Sequence, residues 1–557
     1  MSCNRSGIGQ AWLSVQLHLR GYWAFRQFSQ AARNPYKTQH ALLRKILATH
    51  AQTAFGRQYA FAAINTYEEF AANIPIQTYE DLRPYIEQQL ERAVPTHTRE
   101  MPLFYTQTSG TTGKPKRIPI LQDTVTAYRR GQCISAYAQF HGVPGIFSGK
   151  ILAIVSPAIE GYLHDGTPYG SMSGVVHSSL PAALRSRYVV PQEVFEVDDY
   201  ETKYRLIAAL AVAEEHISVQ ASANPSTFIR LQEVIDQQAE EIIEFVRTGK
   251  LAALPLESLD EDTAKWLPQI PANPERAAHL QRVFASKGTL TYSDLWPNLK
   301  ALVTWTGGNC AAVLPALRHL LPPATPIVEM GYLSSEFRGT ITVDCNENLG
   351  APTIDEVFFE FIEKDDWQAG IKTPRTIEHL EPGKTYYLLA TTQNGLYRYF
   401  INDLIEVTGY FYNTPTIRFV QKGSGVTSLS GEKLYESQVI EAVSTSCQHL
   451  SIMPRFYLLL ASRDDFSYTL LFDAAETFSQ EALTNAVNQS LFELNQEFCD
   501  KVKSGRIRNV SVKRIRPGVY EAYKNHLVKG GRREGQFKMN RLQYRDESTF
   551  PFEDYLV

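Results

Sequence analysis

The sequence predicts an α/β protein with a large amino-terminal α/β body and a small, mobile α+β carboxy-terminal domain. Its 557 residues are too many for one ordinary hydrophobic core. Short apolar runs alternate with helical patterns up to residue 330, which predicts doubly wound sheets. Beyond residue 340 the apolar period changes to two, which predicts a β-barrel-like antiparallel part. Glycine and serine interrupt the pattern between Gln421 and Gly431, so we expect domains at 1–424 and 425–557.

The composition narrows the class of protein. A formal net charge of −4 leaves no basic excess for binding nucleic acid. Six scattered cysteines without a C-x-x-C pair favour neither a disulfide framework nor a zinc site. We therefore expect a cytoplasmic protein, and a monomer.

The first apolar segment, AWLSVQLHLRGYWAFRQF, predicts an amphipathic helix. His18, Arg20 and Arg26 interrupt it before it reaches a bilayer-spanning length, so we expect no integral membrane association. Two roles stay open for it, packing against the body and a peripheral membrane contact.

Helical patterns fill most of the next stretch. Apolar residues at positions 42, 43, 46 and 47 follow helical spacing. Thr66 and Thr78 each precede an acid by three residues, which predicts two capped helix starts. We expect these helices to be scaffold that leads to the segment after Phe104.

The segment FYTQTSGTTGKPKRIPI predicts a phosphate-binding loop between two strands. Gly110 and Gly113 allow successive N–H groups to converge on an anion, and hydroxyls and lysines add donors and positive charge. The residues expected to bind phosphate are Ser109, Gly110, Thr111, Thr112 and Lys116. The spacing is not that of a Walker A loop. An exposed Ser/Thr/Gly turn is the alternative that composition leaves open.

Later strand ends supply further candidates. Lys150–Pro157 and ISVQASA read as buried parallel strands, and the helix after Gly307 would direct its amino end toward their carboxyl edge. The run PIVEMGYLSSEFRG ends with Ser334, Ser335 and Glu336, whose carboxylate suits Mg²⁺. Asp403, in a turn within YRYFINDLIEVTGY, suits the two hydroxyls of a ribose. Each acid taken alone is equally explained as a surface turn residue.

Several motifs together resemble known families. TSGTTGKPK is similar to the phosphate-loop signature of adenylate-forming enzymes, which include acyl-CoA synthetases, luciferases and peptide-synthetase adenylation domains. GYLSSE, GLYRYFINDLIEVTGY, TIRFVQKG and GQFKMNRL, in this order, resemble the Gretchen Hagen family of auxin-responsive acyl acid amido synthetases. The resemblance covers nearly the whole chain. It implies a ligase that uses ATP and Mg²⁺ to make an acyl-adenylate and passes the acyl group to the amine of an amino acid.

The resemblance also implies roles for individual residues. Ser109, Thr111 and Thr112 would contact phosphates, and Tyr332, Ser334, Ser335 and Glu336 would contact nucleotide and magnesium. Asp403 would hold the ribose, with Arg418 near it at the edge of the domain. Lys538, in GQFKMN, would reach the α-phosphate during adenylation.

The chain departs from the family at three points. The spacing between Glu336 and Gly339 is one residue shorter than in the plant pattern. The family usually has Arg and Gly where this chain has Phe400 and Asn402. SLSGEKLYESQV resembles the hinge of acyl-CoA ligases more than that of plant members. An acyl-CoA ligase and a catalytically inactive nucleotide-binding protein are therefore the alternative functions. The segment Gly161–Val176 is expected to be either a ligand-binding loop or a structural crossover.

Overall fold

The chain divides into two compact units, which are described separately. One comprises Met1–Gln107 with Arg117–Val420, and the other Thr108–Lys116 with Gln421–Val557. The computed structural model describes residues 20–92, 95–108, 116–178, 180, 182–197, 199–254, 270–423, 425–474, 477–520, 522–523, 526 and 540–557. No helix within these ranges is long and apolar enough to cross a bilayer.

Five helices open the first unit. They are α1 (Tyr22–Ala32), α2 (Pro35–His50), α3 (Ala54–Gln58), α4 (Tyr67–Asn73) and α5 (Tyr79–Arg92). Thr66 and Glu69 form the capping box predicted at the start of α4. Buried Gln39 donates to the carbonyls of Ile354 and Val357 at 2.6 and 2.7 Å, which fixes α2 to the body. The scaffold role of these helices stays a prediction.

The two strands on either side of the predicted phosphate loop belong to a small sheet. Its strands lie in the order β2-β1-β5-β4, and the β1–β5 pair is parallel. The elements here are β1 (Phe104–Thr108), β2 (Lys116–Ile120), α6 (Gln122–Gly142), β3 (Lys150–Ala153), β4 (Gly161–Tyr162), β5 (Pro168–Gly170) and α7 (Met172–Ser178). The segment Gly161–Val176 is therefore mostly regular structure, because β5 hydrogen-bonds to β1.

A parallel sheet with the strand order β3-β6-β7-β8 forms the next layer, and helices connect its strands as predicted. β3 ends at Ala153 instead of Pro157, and a 3₁₀ turn, Gly308–Val313, replaces the predicted start of the helix after Gly307. The elements are α8 (Ala182–Arg185), α9 (Gln192–Phe195), α10 (Tyr200–Ala213), β6 (Ile217–Ala221), α11 (Ser226–Gln237), α12 (Ala239–Thr248), α13 (Pro274–Lys287), α14 (Tyr292–Leu295), β7 (Ala301–Thr304), α15 (Leu314–Leu320) and β8 (Ile327–Glu329).

The antiparallel part contains a hairpin and a five-stranded sheet in the order β12-β11-β13-β14-β15. Its elements are β9 (Thr340–Asp344), β10 (Leu349–Pro352), β11 (Val357–Glu363), α16 (Lys364–Gln368), β12 (Arg375–Thr376), β13 (Thr385–Thr392), β14 (Tyr399–Phe411) and β15 (Thr414–Lys422). The predicted turn at Asp403 is wrong, because β14 runs through it without a break. Tyr387 pairs with Leu404 while Leu389 pairs with Phe400, so β14 bulges between these positions.

The second unit is built around a four-stranded sheet in the order β20-β19-β18-β21. Residues 480–503 form two helices, because Asn495 leaves helical geometry and its side chain caps the second helix. The elements are β16 (Val426–Thr427), β17 (Leu434–Tyr435), α17 (Glu436–Leu450), β18 (Pro454–Ser462), β19 (Ser467–Ala474), α18 (Gln480–Leu494), α19 (Gln496–Lys503), β20 (Ser511–Arg514) and β21 (Leu542–Tyr544).

Candidate active site

Two buried side chains from different sheets, Tyr332 and Asp403, meet in the first unit. Tyr332 follows β8 of the parallel sheet, and Asp403 lies in the bulge of β14. The Tyr332 hydroxyl donates a hydrogen bond to Asp403 Oδ2 at 2.5 Å. Burial, together with the charge and hydrogen bond of Asp403, raises the pKa of Tyr332 well above its ordinary value. The phenol therefore stays protonated and acts as the donor.

Close packing fixes the Tyr332 ring. The ring of Phe419 stacks on it with centroids 5.8 Å apart. A Cβ atom at Gly339 would lie 2.1 Å from Cδ1 of Tyr332, a distance that no side chain tolerates. Only glycine fits at position 339 with the Tyr332 ring in this place.

A second tyrosine–carboxylate pair belongs to the same cluster. Tyr399 donates from its hydroxyl to Glu336 Oε1 at 3.3 Å, and Glu336 is only 4% exposed. Glu336 and Tyr399 also contribute to the raised pKa of Tyr332. Glu336 and Asp403, the two predicted acids, are therefore brought together around Tyr332.

The departures from the family pattern lie beside this cluster. Asn402 adopts a φ of 60°, a left-handed conformation that asparagine tolerates better than most residues. Asn402 thus adopts a left-handed backbone conformation at a position where the family usually has Gly. Phe400 stacks on Trp367 with ring centroids 4.4 Å apart, which gives this aromatic residue a packing role.

Both strands that flank residues 109–115 reach the Glu336 segment. The Thr106 hydroxyl, on β1, donates to the Ser335 carbonyl at 3.1 Å. Asn394 Nδ2 donates to the Pro119 carbonyl on β2 at 3.0 Å and to the Glu336 carbonyl at 3.4 Å. The strand residues Thr106 and Pro119 are therefore held beside the Ser335–Glu336 segment.

Ser334 and Ser335 occupy the turn before Glu336. The Ser334 hydroxyl donates to the Phe337 carbonyl at 3.1 Å, and Tyr128 of α6 donates to the Ser334 carbonyl at 3.0 Å. These bonds shape the turn that carries Glu336. Contact of the two serines with a nucleotide stays a prediction.

Three other predicted residues have different surroundings. A Cβ at Gly307 would lie 2.8 Å from the Phe419 carbonyl oxygen, so this glycine permits a close approach to β15. Arg418 forms an exposed ion pair with Glu406 at 2.7 Å, which places its guanidinium on the surface of the sheet. Lys116 begins β2, and its ammonium lies 5.4 Å from the centroid of the Tyr435 ring.

The remaining predicted residues lie outside the part of the chain that the structure describes. They are Ser109, Gly110, Thr111, Thr112 and Lys538.

The donor set around Glu336 fits magnesium. Among the described residues, no group of three or more His, Cys, Asp or Glu side chains could hold a metal ion. Mg²⁺ commonly binds through one or two carboxylates with phosphates and water as its other ligands, whereas a zinc site needs several His or Cys ligands. A single buried carboxylate near the strands that flank the predicted phosphate loop suits a nucleotide-bound Mg²⁺.

Sequence reasoning missed Tyr399, Asn394 and Thr106. Tyr399 lies within the GLYRYF motif, so its motif was available as a signal. Asn394 precedes Gly395, and an Asn-Gly pair between strands is read first as a hairpin turn. Thr106 is an ordinary strand residue until its partner Ser335 is known.

Family models match most of the chain. The GH3 family N-terminal domain matches residues 24–327, the GH3 family central domain residues 350–422, and the GH3 family C-terminal domain residues 437–547. The chain belongs to the GH3 family. This confirms the predicted Gretchen Hagen resemblance.

Curated GH3 relatives are similar over nearly their full length. The probable indole-3-acetic acid-amido synthetase GH3.12 of Oryza sativa subsp. japonica is 26% identical, over 92% of both chains. The 4-substituted benzoates-glutamate ligase GH3.12 of Arabidopsis thaliana is 24% identical, over 93% of this chain and 94% of the relative. Their names describe ligases that form amides. The predicted enzyme class, a ligase of the acyl acid amido synthetase type, is confirmed.

Solved structures confirm the fold class. The AtGH3.15 acyl acid amido synthetase in complex with 2,4-DB has a TM-score of 0.67 and 20% identity, over 96% of both chains. A 2-hydroxyisobutyryl-CoA ligase, in complex with 2-HIB-AMP and CoA, has a TM-score of 0.54 and 13% identity, over 91% of this chain and 89% of that chain. GH3 synthetases and CoA ligases of this type therefore share the α/β fold of this GH3 protein.

Proposed function

We propose that this GH3 protein activates a carboxylic acid with ATP and transfers the acyl group to the amine of an amino acid. The observation that carries the proposal is the cluster of Tyr332, Asp403, Glu336 and Tyr399 beside both strands that flank the predicted phosphate loop. A nucleotide reaction needs an acceptor for ribose hydroxyls and a carboxylate for Mg²⁺ close together, and this cluster supplies both.

In the first step, an oxygen of the acid attacks the α-phosphorus of ATP. The bond to pyrophosphate breaks, and an acyl-adenylate forms. A carboxylate accepts about four hydrogen bonds, so Asp403 can accept from ribose as well as from Tyr332. Glu336 would hold Mg²⁺, which neutralises phosphate charge when bound.

Further residues are proposed to bind the phosphates and the rest of the nucleotide in this step. Ser109, Gly110, Thr111, Thr112 and Lys116 bind the phosphates, and Ser334, Ser335 and Gly307 border the nucleotide. Lys538 stabilises the negative charge that develops on the α-phosphate oxygens. In the second step the amine nitrogen attacks the acyl carbonyl carbon, and AMP leaves. Residues 425–557 act as the mobile domain that carries Lys538.

The proposal includes two small-molecule substrates, a monomeric enzyme and a cytoplasmic location, with no role for nucleic acid. Four of the described cysteines, Cys133, Cys345, Cys447 and Cys499, are free thiols, which suits a reducing compartment.

ATP–pyrophosphate exchange with a panel of aromatic and aliphatic acids tests the first step. We expect exchange with at least one acid, and we expect Glu336→Gln to lower it by about 10² or more because the Mg²⁺ ligand is lost. Glu347→Gln, an exposed acid in the β9–β10 turn, is the matched control and should keep wild-type exchange. Absence of both exchange and AMP across the panel would overturn the proposal.

The acceptor is identified by mass spectrometry of products made with amino acids or CoA. An amide supports the proposal. A thioester alone favours the acyl-CoA ligase, to which the SLSGEKLYESQV segment is similar. Nucleotide binding without any product identifies the inactive binder.

A further inference from the structure

A basic and aromatic surface covers the amino-terminal helices. Large aromatic side chains lie exposed on it: Trp23 is 56% exposed, Tyr36 54% and Tyr412 45%. Exposed cationic residues alternate with them. We call this surface the amino-terminal patch; it consists of Arg20, Tyr22, Trp23, Arg26, Arg33, Tyr36, Lys37 and Tyr412.

Contacts show that helix α1 and the β14–β15 turn form one continuous surface. The Arg26 guanidinium lies 5.4 Å from the centroid of the Trp23 ring. The Arg33 guanidinium lies 4.0 Å from the centroid of the Tyr412 ring, and Asn413 Nδ2 donates to the Arg33 carbonyl at 2.7 Å. Cations and aromatic rings are therefore paired side by side along this surface.

Helix α1 uses its opposite face to pack against the body. Phe28 is buried and stacks on Phe411 with ring centroids 6.0 Å apart. Phe25 packs against Tyr137 of α6 at 5.2 Å. The helix is anchored by these apolar contacts, so the exposure of Trp23 and Arg26 follows from their position on the outer face.

The charge of this part of the chain differs sharply from that of the rest. Residues 1–67 contain eight Lys and Arg residues and no Asp or Glu, so they carry +8. The whole chain carries −4, so the remaining residues carry −12. The turn formed by residues 410–413 also contains no acid. The amino-terminal patch itself contributes Arg20, Arg26, Arg33 and Lys37 and no acid. A positive surface on an acidic molecule attracts anions locally.

We propose that the amino-terminal patch docks on a bilayer that contains anionic phospholipids. Arginine and lysine are attracted to anionic headgroups, and Trp and Tyr side chains prefer the interface between headgroups and acyl chains. The aromatic rings are interleaved with cations instead of gathered into an apolar groove, which fits a headgroup layer better than another protein. The proposal is a peripheral contact and does not depend on the proposed enzymatic function.

Vesicle co-sedimentation of the full chain tests this proposal. The probes are vesicles of phosphatidylcholine alone and vesicles that also contain phosphatidylglycerol. We expect at least about tenfold more binding to the anionic vesicles, with a loss at high salt because counterions screen the attraction. Binding should also shift the Trp23 fluorescence to shorter wavelength, a shift that Trp23→Phe removes.

Two sets of substitutions locate the contact. R26E/R33E/K37E should lower binding about tenfold or more. R247E/K250E/R282E changes the charge equally at exposed positions of α12, the segment after it and α13, and should retain most of the binding. Trp23→Ser should weaken binding several-fold without a change in charge. Thermal melting of each variant verifies folding, which these exposed positions should not disturb.

Four results would overturn the proposal. The first is no binding to anionic vesicles at low salt, and the second is an equal loss of vesicle binding in R247E/K250E/R282E. The third is binding to random-sequence DNA that is as tight as binding to vesicles and that Trp23→Ser does not change. The fourth is self-association of the protein that Trp23→Ser abolishes. The third result would identify a general polyanion surface, and the fourth an interface with a second copy of the chain.

Discussion

Each unit of the molecule contains a buried tyrosine that donates to a buried carboxylate. In the first unit Tyr332 donates to Asp403 at 2.5 Å, and in the second Tyr468 donates to Glu432 at 2.6 Å. Burial and the carboxylate raise the pKa of both tyrosines well above the ordinary value. The hydrogen-bond lengths and the direction of the pKa shifts therefore do not distinguish the two tyrosine–carboxylate pairs.

Their surroundings differ. Glu432 accepts from the backbone N–H of Leu429 at 2.7 Å and from that of Ser430 at 2.8 Å, so its two oxygens close its own turn. Asp403 instead joins segments 71 residues apart and lies in a cluster with a second acid, Glu336. A buried carboxylate that ties its own backbone stabilises a turn, whereas two acids gathered from distant segments form a candidate site.

The largest expected effect follows from Asp403→Ala. We expect kcat/KM for ATP to fall by about 10²–10³, because the proposed acceptor of the ribose hydroxyls and the partner of Tyr332 are both lost. Glu406→Ala, on the same strand, serves as the control and should keep most of the activity. If Asp403→Ala keeps its activity, the Tyr332–Asp403 pair is structural, as the Tyr468–Glu432 pair is expected to be.

Gly339→Ala tests whether the position of the Tyr332 ring is essential. The added Cβ would lie 2.1 Å from the ring, so the ring must move, and a displacement of about 1 Å can cost about 10² in rate. Tyr332→Phe keeps the ring in place and removes only the hydrogen bond, so its loss should be smaller. Steady-state kinetics with varied ATP compare the two variants; equal losses would show that the hydroxyl, not the ring position, matters.

Glu432→Gln tests the structural role of the second pair. An amide nitrogen cannot accept the Leu429 or Ser430 N–H, so we expect the variant to lose about 1–3 kcal/mol in free energy of unfolding of the second unit. Denaturant unfolding measures the loss. The folded variant should retain catalysis; a loss of turnover with unchanged stability would place Glu432 in the catalytic machinery.

Buried histidines beneath the Asn394 turn predict acid sensitivity of the first unit. Burial lowers the pKa of His50 to about 4 and that of His97 to about 3. Both pKa values lie below the unfolded value near 6.5, so stability is fully present above pH 6.5 and falls as the pH drops toward 4. Each group contributes a slope of about 1.4 kcal/mol per pH unit in this window.

His97→Gln should remove one of these two contributions, because glutamine does not titrate. Unfolding measured between pH 7 and pH 4 compares the slopes of the variant and the wild type. An unchanged slope would assign the acid sensitivity to other groups.

The smallest effect is expected for Arg418→Ala. The Arg418 side chain is 64% exposed and its guanidinium pairs with Glu406, and exposed ion pairs contribute about 0–1 kcal/mol. We expect KM for ATP to change by less than about threefold. A change in KM above tenfold would support the position near the nucleotide that the family resemblance implies for Arg418.

Local patterns in the sequence determined most of the elements. The capping box at Thr66 and the parallel and antiparallel strands depend on spacing within one segment, so the sequence predicts them. The bulge at Asp403 was read as a turn because an Asn-Asp pair has the same local signature in both structures. Only the pairing of β14 with β13 distinguishes the two.

By itself, the sequence determined the family, the order of the elements and the two acids, because ordered motifs and local periodicity are properties of the chain. The tertiary structure alone decided that Tyr332 reaches Asp403, that Tyr399 reaches Glu336, and that Asn394 bridges β2 and the Glu336 segment. These contacts join residues 58 to 275 positions apart, and such distant pairings depend on how the sheets pack, which no local pattern records.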